Sequence, residues 1–148
     1  MIRRFGQAPL PGVKYTRRPG VYCLLPQDGA LLLTHQSEPW PEYQLPGGGI
    51  DAGEHPIAAL HREVHEETGW LISTPKHVGA FRRFTFMPEY ELWAEKLCTI
   101  YIARPIRPVA APTEPGHTAC WMSIADAADF LGNSGDRHFA GLLLNGRI

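Results

Sequence analysis

The stretch GGGIDAGEHPIAALHREVHEETGW, Gly47 to Trp70, restricts this chain more than any other. Its run of three glycines frees the backbone for tight turns and for close approach to a ligand. Pro56 suits the first turn of a helix, and Gly69 suits the position just past its end. A helix over residues 57–68 places Ile57, Leu60 and Val64 on one stripe, at i, i+3 and i+7. Glu63 and Glu67 are then i, i+4 neighbours on the flank of that stripe, with Glu66 one step further round. Their β-carbons fall about 5–6 Å apart, where like charges weaken a helix by a few tenths of a kcal/mol. A hard divalent cation turns that repulsion into attraction. Mg²⁺ takes oxygen ligands and keeps several waters for itself and for substrate phosphates. Without a ligand, the same face reads as a solvated acidic surface.

Glu54 lies just before Pro56. Arg62, i, i+4 from Glu66, reaches back toward it. An Arg–carboxylate fork between them would lock the glycine loop onto the helix. Glu54 and Arg62 therefore read as scaffold, and Glu63, Glu66 and Glu67 as ligands.

The rest of the chain bounds the setting. Its 148 residues suit a single domain over 1–148, with residues 1–19 as an N-terminal arm. A 44% hydrophobic and 20% charged composition is that of an ordinary soluble globular protein. The net charge of −1 provides no broad basic field, which argues against tight binding of duplex nucleic acid. No apolar run approaches the roughly 20 residues that span a bilayer. The start, MIRRFGQAPLPG, lacks the apolar core of a secretory signal. Cys23, Cys98 and Cys120 are scattered and read as reduced thiols of a cytoplasmic protein. The seven histidines form no HExxH and read as surface or core residues.

Strand-like runs occur at GVYCLL (20–25) and ALLLT (30–34), joined by a turn at Asp28-Gly29. Residues 36–49 read as a loop. HVGAFRRFTF (77–86) and KLCTIYIA (96–103) read as strands, with a loop over 87–95. Residues 105–117, rich in proline, read as an ordered loop before strand-like ACWM. Ser123 with Asp126 opens a helix, and Arg137–Leu144 forms the last one. This order implies an α/β sheet with helices on both faces.

Residues Gly48 to Trp70 resemble the Nudix box, Gly-x5-Glu-x7-Arg-Glu-apolar-x-Glu-Glu-x-Gly-apolar. Gly48, Glu54, Arg62, Glu63, Val64, Glu66, Glu67, Gly69 and Trp70 occupy its defined positions, Trp70 being an unusual apolar occupant of the last. The resemblance implies an α/β/α sandwich with a mixed central β-sheet and the box as loop-helix-loop. It implies Mg²⁺- or Mn²⁺-dependent hydrolysis of a diphosphate linkage in a nucleoside diphosphate derivative. By the same resemblance Glu63 and Glu67 are the principal metal ligands, Glu66 assists, and the Gly47 carbonyl is a backbone ligand. The general base is then Glu66, Glu67 or a downstream acid. Glu114 stands where some members carry such an acid, with Glu91 and Glu95 as competitors. The partner is a small nucleotide, with neither duplex nucleic acid nor membrane. Members often dimerise, so a homodimer is among the assemblies open to the chain.

Substrate choice lies outside the box. Trp40 and Tyr43, just before the glycines, either stack a base or pack under the loop. Arg82 and Arg83 are strand neighbours facing opposite sides, so at most one enters the cleft as a phosphate partner. Arg18 is a further candidate, and Tyr90 and Trp93 cover either the pocket or the core. A (deoxy)nucleoside triphosphate or modified relative is the expected substrate. The alternatives are ADP-ribose, a dinucleoside polyphosphate or a 5′-triphosphate RNA end. A nucleotide-binding regulator without catalysis is the rival of another class.

Overall fold

The elements run in the order β1 (Thr16–Leu24), β2 (Pro26–Gln27), β3 (Ala30–Gln36), β4 (Glu42–Gln44), β5 (Gly47–Gly49), α1 (Pro56–Thr68), β6 (Trp70–Ile72), β7 (Lys76–Met87), β8 (Leu92–Ile102), β9 (Pro105–Pro108), β10 (His117–Ser123), α2 (Ile124–Phe130) and α3 (Ser134–Leu144). The structure is a computed structural model and describes residues 2–148. A mixed sheet has the order β5-β1-β8-β7, in which β1 and β8 are parallel and the other pairs antiparallel. A second, antiparallel sheet has the order β10-β3-β2, with β4 on the free side of β3. β6 and β9 form a two-stranded ladder.

Several expected loops are strands, each for an identifiable reason. Residues 16–19 leave the arm because β1 pairs with β8 from Thr16↔Ala94 onward. The 36–49 segment contains β4, which turns back on β3 as a short hairpin, and β5, whose partner β1 is more distant in sequence; both are too short and too rich in Gly, Pro or charge to show in local pattern. The 87–95 loop shrinks to a 3-10 turn at Pro88–Tyr90, closed by Glu91 in the left-handed region at φ 50°. Beyond it, β8 starts at Leu92, opposite Met87. Pro105–Pro108 pairs with β6, an edge where missing N–H groups are tolerated. The last helix starts at Ser134 instead of Arg137, because the Asn133 side chain caps it by accepting from the Asp136 N–H.

The expected turn between β2 and β3 is present, with Asp28 at φ 51° and Gly29 at φ 78°. α1 also follows its sequence signals. His55 Nδ1 accepts from the Ile57 N–H, Pro56 fills the first turn, and the Gly69 N–H donates to the His65 carbonyl.

Two cores lie on opposite faces of the mixed sheet. Ala59, Leu60 and Val64 of α1 pack against Val21, Cys23, Leu25 and Leu32. On the other face, Leu24, Leu33, Phe81 and Ile100 pack against Ala127, Phe139 and Ala140 of α2 and α3. β1 serves both cores by its alternation, Val21 and Cys23 one way, Tyr22 and Leu24 the other. Helices therefore cover both faces of the sheet. Among the described residues no helix is long and apolar enough to cross a membrane.

Candidate active site

The glycine strand β5 lies against the α1 glutamates because nothing larger fits. A Cβ on Gly47, at φ 150°, would sit 2.0 Å from the Val21 carbonyl, and one on Gly48 would sit 2.6 Å from the Glu63 carboxyl. The Gly47 N–H donates to Glu67 Oε1 at 2.9 Å. β5 and α1 together wall one end of a cleft of about 1160 Å³, lined there by Gly47, Gly48, Glu63, Glu66, Glu67 and Glu114.

Arg62 fastens this wall. Its Nε and Nη2 donate to the two oxygens of Glu54 at 2.7 and 2.9 Å, and Nη2 also reaches the Gly49 carbonyl at 3.2 Å. Its Nη1 holds Glu63 at 3.1 Å and Glu66 at 3.2 Å. The Arg62 hydrogen bonds, helped by the Asp51 N–H, pull the Glu54 pKa down to about 2. Removing Arg62 would leave four carboxylates, Asp51, Glu54, Glu63 and Glu66, without their shared cation. Arg62→Ala is expected to cost about 2 kcal/mol of stability in urea unfolding, with Arg62→Lys recovering only part because the fork is lost.

Glu67 is nearly sealed, and burial raises its pKa well above the ordinary carboxylate range. The charges of Glu63, Glu114 and Glu66 push the same way, while the Gly47 N–H opposes. Burial raises Glu63 as well, against the pull of Arg62. Glu114 reaches the wall because the Thr113 and Glu114 N–H groups donate to the Glu66 carbonyl at 2.8 and 2.9 Å. The downstream loop is thus tied to the open end of α1.

Burial and neighbouring carboxylates push Glu63 and Glu67 toward neutrality, and such oxygen donors beside a cleft suit a hard divalent cation. Among the described residues no three His, Cys, Asp or Glu side chains are already gathered in ligating geometry. Arg62 holds both oxygens of Glu66 and one oxygen of Glu63, leaving Glu63 Oε2 outside its grip.

Other expected positions separate clearly. Trp40 lines the cleft, its indole N–H donating to Glu42 at 3.0 Å. Tyr43 does not; it packs edge-on to His35, over a neighbouring shallow concavity. Arg83 lines the cleft, whereas Arg82 points away and donates to the Ile2 carbonyl of the arm at 3.3 Å. Arg18 and Tyr90 meet at the cleft, the guanidinium 4.6 Å from the ring centroid. Trp93 packs against Tyr15 and Phe86. Glu95 pairs with Arg17 at 3.3 Å, and neither Glu91 nor Glu95 lines the cleft.

Sequence reasoning missed four residues here. His117, read as surface or core, sits between Thr34 and Glu67, its Nδ1 2.8 Å from Thr34 Oγ1 and 3.5 Å from Glu67 Oε2. Burial lowers its pKa. Lys96, Asn133 and Asp136 line the far end of the cleft. A signal existed for Lys96, which shares the alternation of Cys98 and Ile100, a charge on an inward face.

Burial pushes the Asp136 pKa up to about 6, against Arg83, the Leu45 N–H, Lys96 and Asn133. The folded state therefore binds its proton more tightly than the unfolded chain. Its contribution to stability is full below about pH 4 and is lost as pH rises through about 6. Asp136→Asn is expected to flatten that fall, worth about 2–3 kcal/mol, when stability is compared at pH 4 and pH 8.

The comparison with known families decides the lineage: residues 14–143 match the NUDIX domain. The chain belongs to the Nudix family. A Bacillus subtilis (strain 168) protein named "Putative 8-oxo-dGTP diphosphatase" is 30% identical over 74 residues, 50% of each chain, so this chain spans about half the length of that relative. Among solved structures, the MutT protein of Methanosarcina mazei Go1 superposes with a TM-score of 0.69 at 20% identity, covering 91% of this chain and 98% of that one. The MutT protein of Bacillus halodurans gives 0.69 at 21% identity, covering 86% and 82%. These Nudix likenesses show a shared fold, a mixed α/β architecture with helices on both sides.

Proposed function

We propose that this Nudix protein is a divalent-metal-dependent pyrophosphohydrolase acting on a (deoxy)nucleoside triphosphate or a modified nucleotide. The observation that carries the reading is the wall formed by Glu63, Glu66, Glu67 and Glu114 beside a cleft of nucleotide size. The name of the Bacillus subtilis relative supports a purine nucleoside triphosphate within that class. Mg²⁺ or Mn²⁺ would be held by Glu63, Glu66 and Glu67, with the Gly47 carbonyl as a further oxygen. A bound divalent ion neutralises phosphate oxygens and acidifies a ligated water.

The chain's own residues supply the rest. Glu67 is oriented by the Gly47 N–H and flanked by His117, so its carboxylate is fixed in direction. Its raised pKa suits the acceptance of a proton from water during attack on phosphorus. Glu114, exposed at the cleft edge, is the second candidate base. Trp40 and Tyr90, which line the cleft, would stack a base, and Arg83 would meet phosphate. The three free thiols fit a cytoplasmic setting.

Incubation with a panel of canonical and oxidised dNTPs, ADP-ribose, dinucleoside polyphosphates and triphosphorylated RNA tests this. Metal-dependent cleavage of a triphosphate between its phosphates is the expected product profile. Nucleotide-induced thermal stabilisation with no product from any of them would point to the non-catalytic regulator instead.

A further inference from the structure

The far end of the cleft carries a feature that hydrolysis at the glutamate wall does not use. Arg18, Lys96 and Arg83 stand in one row across three adjacent strands. Arg18 partners Lys96 in the β1–β8 register, and Lys96 partners Arg83 in the β8–β7 register. All three line the cleft. Like charges directly opposite one another destabilise a sheet.

Among the described residues none of the three has an ion-pair partner within 4.0 Å. Arg18 lies over the Tyr90 ring, and the Lys96 ammonium is 5.8 Å from the centroid of Tyr22. Rings favour cations but carry no net charge. Asp136 faces the row from α3 and Glu42 from β4, yet neither pairs with Arg18, Lys96 or Arg83 at ion-pair distance, and they are two acids against three cations.

A neutral base needs matched donors and acceptors, and the row's excess of positive charge exceeds that need. A phosphate supplies both the opposite charge and the acceptor oxygens. The Arg18 end of the row is also set apart from the glutamates along β1. Arg18 precedes Tyr22, the register partner of Gly47, by four residues on β1. Four strand residues cover about 13 Å.

We propose that Arg18, Lys96 and Arg83 form an anion subsite that binds a phosphate group of the substrate other than the one engaged at the glutamate wall. The subsite takes its ligand's identity from the nucleotide reading above. The phosphate comes either from the far end of the nucleotide's own chain or from a separate position on the sugar.

The test uses the full chain in EDTA, where the glutamate wall repels anions and turnover is absent. Tripolyphosphate is titrated by calorimetry into the wild type, Arg18→Gln, Lys96→Met and Glu67→Gln. Wild type and Glu67→Gln should bind. Arg18→Gln and Lys96→Met should bind about tenfold more weakly or worse, as expected for a lost charged hydrogen bond. Among the described residues Arg18 has no side-chain hydrogen-bond partner to lose, so its variant keeps the test valid should Lys96→Met fail to fold. Equal binding by all four proteins, or none by the wild type, overturns the subsite.

Parallel titrations with a nucleoside 5′-triphosphate and a nucleoside 3′,5′-bisphosphate name the source. An Arg18→Gln deficit confined to the triphosphate assigns the chain, one confined to the bisphosphate assigns the sugar position, and no deficit for either overturns the proposal. Failure of the hydrolase reading would appear separately, as intact anion binding in EDTA with no metal-dependent cleavage.

Discussion

Glu67→Gln is expected to lower kcat by about 10³-fold, the scale of losing a positioned proton acceptor and metal ligand together, while leaving the fold in place. The substitution is close to isosteric. Glutamine keeps an oxygen for the Gly47 N–H, so the hydrogen bond between α1 and β5 survives. It also removes a buried carboxyl that burial and three neighbouring glutamates already push toward neutrality. Stability should therefore be unchanged or slightly raised. Circular dichroism and urea unfolding beside a steady-state assay separate the two effects. Retained turnover in a folded variant would remove Glu67 from the chemistry and return the candidates to Glu114 and Glu66.

Gly47→Ala is expected to be a strongly damaging single-methyl change at the site. The added Cβ would meet the Val21 carbonyl at 2.0 Å and the Tyr22 Cα at 2.6 Å, both backbone, at a φ of 150° that side chains avoid. Neither obstacle can rotate away. β5 would have to leave β1, taking with it the N–H that orients Glu67. The expected loss is about 3 kcal/mol or more in urea unfolding. Gly49→Ala is the control, since no atom lies within 4 Å of its Cβ, and it should cost less than about 1 kcal/mol. Equal effects at the two positions would show that close packing of β5 is not what the glycines provide.

The acidic helix and its fastening were legible in the sequence because their information is local. Glu54, Arg62, Glu63 and Glu67 lie within one loop and one helix, and helical spacing alone brings them together. The Arg62–Glu54 fork is present at 2.7 and 2.9 Å. The pieces that were hidden depend on strand pairing that their own composition does not signal. β4 and β5 form only because β3 and β1 offer edges, and their own residues, glycine-rich or charged, favour a loop. The Arg18–Lys96–Arg83 row exists only once two strand registers are known. Neighbour alternation correctly separated Arg82 from Arg83, but it could not say which faced the cleft. That depends on the β7–β8 register, which sets Arg83 beside Lys96 on the cleft face. Tyr43 and Trp40 looked equivalent in sequence. β4 divides them, sending Tyr43 toward His35 and leaving Trp40 at the cleft. His117 was obscured because its partners, Thr34 and Glu67, come from two other elements.

Titration of the metal-free protein with Mn²⁺, followed by the loss of free-ion signal in electron paramagnetic resonance, tests most directly whether the crowded glutamates are a cation site. Saturable binding by the wild type, weakened about tenfold or more in Glu63→Gln and Glu67→Gln, is the result the site predicts. No saturable binding, or binding that both variants retain in full, would mean that Glu63, Glu66 and Glu67 are an acidic surface held by Arg62 and nothing more.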